Sequence, residues 1–211
     1  MPDHTTLVLL IRHGLTPTTG VKLPGRSRGL HLSDDGKRQA DGLVKRLAAV
    51  TKLGAIYASP LERARETAAP LARERGRAVR VEPGLVELDV GDWTGLSLKQ
   101  ASHKPEWAAV QRHPSGFRFP GGESFVEMQG RITGALGRLV ARHRGEVLVA
   151  VSHADPIKAA VAHALGTPLD LFQRIFIAPA SVSAISYRRD GVGVLTVNSV
   201  DGDLAGLLGG R

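Results

Sequence analysis

Three short apolar runs constrain this chain more than any other feature. Thr6–Arg12 (TLVLLIR), Ala55–Ala58 (AIYA) and Glu146–Ser152 (EVLVAVS) lack the alternation of a half-solvated strand and are too short for a buried helix. Runs of this kind belong to strands covered on both faces. Amphipathic helical segments separate them. Ser33-Asp34-Asp35-Gly36 opens one, with Ala40, Leu43, Val44, Leu47 and Ala48 at helical spacing and Gly54 as its stop. Ser59 as N-cap, Pro60 at the first helical position and Glu62 as capping-box partner open a second, which Gly76 closes. Glu123–Arg144 reads as a long helix, and Asp155-Pro156 repeats the cap-then-proline start for a helix reaching Leu165. Val79–Val81 reads as a further strand, and Ser181–Tyr187 with Val192–Val197 as a hairpin. Strands alternating with helices predict an α/β fold: three layers, α/β/α, around a mostly parallel central sheet.

With 211 residues the chain is expected to form a single domain, residues 1–211. The Gly- and Pro-rich stretch 83–122 carries both Trp residues and at most short helices, near Leu98–Ser102 and Glu106–Arg112. It is expected to be an insertion walling a site. A short helix is expected near Leu169–Phe172, and residues 201–211 are expected to be a loose tail. The chain has no Cys, which excludes disulfide scaffolds, Cys-based metal sites and Cys nucleophiles. No apolar stretch approaches a membrane span and no signal-peptide core is visible, so a soluble, cytoplasmic protein without a membrane partner is expected. The net charge of +8 invites a nucleic-acid reading, but aromatic residues make up only 4% and basic residues are interleaved with Glu74 and Glu82. No nucleic-acid partner is therefore expected. The excess fits a solvated surface, part of it serving to attract an anionic substrate.

Polar groups sit where the buried runs end: Arg12-His13-Gly14, Ser59 to Arg63, and Ser152-His153. Ligands of open α/β sheets bind at the carboxyl ends of strands. Taken singly, a His after a strand is usually structural and an Arg early in a helix is usually solvated. Brought together, two guanidinium groups and two imidazoles repel one another unless a multiply charged anion sits among them. A phosphoryl group matches, because Arg forks bind its oxygens in pairs.

LLIRHGLT resembles the Arg-His-Gly signature of the histidine phosphatase, or phosphoglycerate mutase-like, superfamily. ASPLERARETA is similar to its second-arginine segment, VELDVGDWTG to its acid loop, and VSHADPIKA to its second-histidine segment. LSDDGKRQA and FPGGESFVEMQGR resemble family segments as well, so the likeness runs from about Leu7 to Ala160. It is nearest to an actinobacterial-type branch of phosphomutases and phosphatases. The resemblance implies His13 as a nucleophile that takes the phosphoryl group through one ring nitrogen while the other donates to a backbone carbonyl. Arg12 and Arg63 would bind phosphoryl oxygens, and His153, cationic part of the time, a further one. Glu87 would protonate the leaving alcohol and then activate water, with Glu82, Asp89, Asp92 and Glu123 as rivals. Thr16, Thr19, Arg26, Glu123 and Ala154 would belong to the substrate site. Thr19 stands where many members have Asn, and Asp155 either caps its helix or faces the pocket. Glu123 either caps the long helix or lines the pocket.

The resemblance implies a metal-independent phosphomonoester hydrolase acting on a small phosphorylated metabolite. A phosphoglycerate mutase-type phosphomutase is the alternative, and a non-catalytic phosphate sensor and a nucleic-acid binder are the other classes weighed. No metal pattern, P-loop or dinucleotide fingerprint is visible, so no metal and no cofactor are expected. A homodimer is left open.

Overall fold

The computed structural model describes residues 5–51 and 53–207. In chain order the elements are β1 (Thr6–Arg12), α1 (Asp34–Arg46), β2 (Leu53–Ala58), α2 (Glu62–Glu74), β3 (Val79–Val81), α3 (Leu98–Ser102), α4 (Trp107–Arg112), α5 (Phe125–Arg142), β4 (Val147–Ser152), α6 (Ala154–Leu165), β5 (Val182–Arg188) and β6 (Gly191–Ser199). Six strands form one sheet in the order β3-β2-β4-β1-β5-β6. The first four are mutually parallel, and the β5–β6 hairpin adds antiparallel to β1. The α/β reading of a mostly parallel sheet holds.

Alternation along the strands explains the layers. Leu7, Leu9 and Ile11 point to one face and pack with Leu43 of α1, Leu47 just after it, and Ala64, Ala68 and Leu71 of α2. Val8 and Leu10 point to the other and pack with Met128, Ile132 and Leu136 of α5 and Ile157 and Val161 of α6. Both faces are covered, which is why the strands read as unbroken apolar runs. Within 83–122, Trp93 is buried, stacks on Trp107 and meets Phe119 edge to face, giving that segment apolar packing of its own.

Three local expectations are corrected. α1 stops at Arg46, and Gly54 lies inside β2, where a Cβ would collide with the Glu146 side chain. α2 begins at Glu62 with Leu61 as an N-cap that makes no side-chain bond. α6 begins at Ala154 with His153 as N-cap, which puts Asp155 and Pro156 inside its first turn. Beyond Asp201, Leu204 is buried in the core beneath α1, so this part of the expected tail is packed; residues 208–211 lie outside the described residues. Among the described residues, no helix is long and apolar enough to cross a membrane.

Candidate active site

The parallel register aligns the ends of three strands. Arg12 pairs with Ser152 across β1 and β4, and Ala58 pairs with Val151 across β2 and β4. The ladder runs one step further, with His13 N donating to Ser152 O (3.0 Å) and Ser59 N to Val151 O (2.9 Å). His13, Ser59 and His153 are thereby set side by side at the carboxyl edge. The His13 and His153 ring centroids are 5.1 Å apart at an interplanar angle of 61°.

His13 is buried, and its Nδ1 lies 2.7 Å from Gly14 O. A carbonyl only accepts, so Nδ1 carries the proton and Nε2 keeps its lone pair. Burial first, then the Arg63 and Arg12 charges, push the His13 pKa down to about 3. Gly14 is a close-approach position. A Cβ there would sit 2.7 Å from Gly36 O, so only glycine lets the signature loop rest on the start of α1. Gly14 N also donates to Thr67 Oγ1 (3.0 Å), which donates to Arg63 O (2.7 Å) and so links the His13 loop to the turn of α2 that carries Arg63.

The two arginines are held by backbone carbonyls. Arg12 Nη1 donates to Ile177 O (2.7 Å). Arg63, wholly buried, donates through Nη2 to Gly25 O (2.8 Å) and through Nη1 to Ser27 O (3.3 Å). Each guanidinium keeps Nε–H without a partner among the described residues, and so does Nδ1 of the fully buried His153. Three buried donors left unsatisfied are costly unless something accepts from them. The N-terminal end of α6 begins beside His153, and its dipole favours the same charge.

His153 Nε2 lies 2.8 Å from Ser59 Oγ, which accepts from Leu61 N (3.3 Å). The Ser59 hydroxyl proton is therefore free to go to Nε2, leaving Nδ1 as the protonated nitrogen. Burial, followed by His13, Arg63 and Arg12, pushes the His153 pKa well below its usual value. That shift favours the neutral imidazole donating from Nδ1, where the sequence reading has His153 cationic part of the time.

Glu87 reaches the cluster from the 83–95 segment, with Oε2 3.9 Å from His153 Nδ1. Burial, then the Asp155 charge, push its pKa up to about 7, against the opposing pull of Arg63, Leu88 N and Arg12. Ser152 Oγ ties this segment to β4 by donating to Leu85 O (2.7 Å). Asp155 is ion-paired with Lys158 at 3.2 Å and makes no capping bond.

The other expected residues divide. Thr16 is buried, and its hydroxyl bonds that of Thr19 at 2.9 Å, while Thr16 N donates to Thr19 Oγ1 (3.0 Å), so Thr19 braces the loop after His13. Ala154 is the first residue of α6. Ser124, not Glu123, caps α5 in a capping box with Glu127. Glu123 instead takes both Nε and Nη2 of Arg131 (2.8 and 2.9 Å) and Nη2 of Arg26 (2.9 Å). Of the rival acids, Glu82 caps the turn at Pro83–Leu85 and Asp89 accepts from Gly91 N (3.0 Å). Sequence reasoning missed Arg131, Thr67 and the bond between Ser59 and His153. Arg131 was visible only as the last residue of the GGES segment, eight positions beyond Glu123.

The model of the histidine phosphatase superfamily (branch 1) matches residues 8–200. The chain is 32% identical over 187 residues to the bifunctional protein Rv2228c of Mycobacterium tuberculosis, covering 88% of this chain and 51% of that protein. It thus spans about half the length of such relatives. It is 33% identical over 183 residues to phosphoserine phosphatase 1 of Hydrogenobacter thermophilus, covering 84% and 85% of the two chains. The solved structure of mycobacterial glucosyl-3-phosphoglycerate phosphatase Rv2419c superposes with a TM-score of 0.83 at 26% identity, covering 92% of this chain and 99% of that one. This chain belongs to branch 1 of the histidine phosphatase superfamily.

Proposed function

We propose that the protein is a metal-independent phosphomonoester hydrolase that works through a phosphohistidine at His13 on a small phosphorylated metabolite. One observation carries the reading: Arg12 Nε, Arg63 Nε and His153 Nδ1 are buried and unpartnered beside a His13 whose Nε2 lone pair is free. Three donors around a nucleophile suit the three oxygens of a transferring phosphoryl group.

In this reading Nε2 of His13 attacks phosphorus, the ester P–O bond breaks with its electrons going to the leaving oxygen, and Glu87 hands that oxygen its proton. Glu87, now a carboxylate, takes a proton from water as the water attacks the phosphohistidine. The P–N bond breaks, inorganic phosphate leaves, and both groups return to their starting states. Raised to about 7, Glu87 holds the proton the first step needs and can take one back in the second. The relatives named as phosphatases of phosphoserine and of glucosyl-3-phosphoglycerate support the hydrolase reading and the substrate class. A phosphate-release screen over a panel of phosphorylated metabolites, run in excess chelator and paired with a coupled mutase assay, tests it. Release from a small ester at an undiminished rate in chelator is expected. Activity restored only by a divalent ion, or phosphoryl return to a second hydroxyl without release, would overturn it.

A further inference from the structure

We propose that Arg26 is a positioning residue for Glu87, and that the tripeptide Gly25-Arg26-Ser27 holds the carboxyl group and the Arg63 guanidinium in one frame. The inference rests on the role given to Glu87 above. The carbonyls of Gly25 and Ser27 accept from Arg63 Nη2 and Nη1 (2.8 and 3.3 Å). The side chain between them turns the other way, and Arg26 Nε donates to Glu87 O at 2.9 Å. Three consecutive residues thus tie one side of the site to the other.

Arg26 has little left to offer a substrate. Its Nη2 is 2.9 Å from Glu123 and its Nη1 is 3.5 Å from Asp89. Arg131 completes the group from α5, donating to Gly84 O (2.9 Å), Val86 O (2.8 Å) and Glu87 O (3.3 Å) while clasping Glu123. Two guanidiniums face two carboxylates, so the cluster has no formal net charge with which to draw an anion. That argues against a subsite for a second anionic group of the substrate.

The packing supports a shared frame. Gly25 has φ +47°, and a Cβ there would come within 2.9 Å of Val90 Cγ2, so the 24–27 loop lies directly on the segment that carries Glu87. Leu23 and Leu96 add a backbone bond at 2.9 Å, and Gly95 N donates to Leu23 O at 2.8 Å. Glu87 Oε1 accepts from Leu88 N (2.9 Å), so once the backbone at 87 is clamped the carboxyl has little freedom. A general acid is effective only while it stays within hydrogen-bond reach of the leaving oxygen. A misplacement of about 1 Å costs on the order of 10²-fold.

The test compares Arg26→Gln and Arg26→Lys, each in the wild-type and Glu87→Gln backgrounds, on an alkyl phosphate and on nitrophenyl phosphate. Arg26→Gln should lower kcat on the alkyl ester by about 10²-fold. KM should stay within about twofold, and the nitrophenol burst, which needs no acid, should be little changed. Arg26→Lys, able to reach Glu87 O or Glu123 but not both, should fall between and serves if Arg26→Gln does not fold. In the Glu87→Gln background neither change should cost more. A rise in KM that persists there would place Arg26 on the substrate and overturn the proposal. An equal loss on both esters, with the nitrophenol burst slowed as much as the alkyl ester, would also overturn it. If Glu87→Gln itself slows the nitrophenol burst as much as it slows the alkyl ester, it is the role of Glu87 that fails.

Discussion

Ser59 Oγ lies 2.8 Å from His153 Nε2, joining the residues that follow two adjacent parallel strands. The bond decides which nitrogen of His153 faces the cluster with a proton. It also orients the Ser59 hydroxyl, whose oxygen accepts from Leu61 N and does not cap α2.

Ser59→Ala is therefore expected to lower kcat/KM on a phosphate ester by about tenfold, in line with the loss of one buried hydrogen bond. The far-UV spectrum should stay unchanged. Full activity would show that Ser59 only closes the turn to Leu61.

His13→Ala should abolish steady-state turnover and acid-labile labelling from a ³²P ester together. The argument is the tautomer: Nδ1 is committed to Gly14 O, so Nε2 keeps a free lone pair and no proton. Labelling that survives the substitution would move the nucleophile elsewhere.

Arg63→Lys should cost several kcal/mol of transition-state stabilisation, read as a fall in kcat/KM of at least about 10²-fold. A single ammonium cannot span Gly25 O, Ser27 O and a phosphoryl oxygen as the planar fork does. A fully active Lys variant would reduce Arg63 to a structural anchor of the 24–27 loop.

The pH dependence follows from two opposed shifts. In the proposed mechanism His13 attacks unprotonated and is pushed down to about 3, whereas Glu87 donates a proton and is pushed up to about 7. After allowance for the ester's own ionisation near about 6, kcat/KM on an alkyl phosphate should fall above about pH 7 and hold towards about pH 3. Glu87→Gln should remove the basic limb and lower the rate by about 10²- to 10⁴-fold. A basic limb that survives it would belong to another group.

The same carboxyl carries a stability signature. Its pKa is higher folded than unfolded, so its contribution is complete below its ordinary value of 4.5 and is lost as the pH rises through about 7. The stability advantage of wild type over Glu87→Gln should shrink between pH 4.5 and 8 by roughly 3 kcal/mol. Urea unfolding at the two pH values measures it, and a constant difference would mean that the carboxyl titrates normally.

The chain by itself determined the layers, because a strand covered on both faces must be apolar throughout and a helix beside it must keep its 3.6-residue stripe. β1, α3 and the end of α6 fall where the pattern places them. It also determined which polar residues meet, since parallel strands deliver their next residues to one edge, as with His13, Ser59 and His153. Only the tertiary structure decided what those residues do with their hydrogen bonds. Ser59, Glu123 and Arg26 each have a plausible local use as helix cap or anion contact. Their partners His153, Arg131 and Glu87 lie 94, 8 and 61 residues away, and no local propensity registers such a bond. The charge state of His153 was hidden for the same reason. Desolvation and the fields of His13, Arg63 and Arg12 act through space, and none of them exists until the strands are aligned.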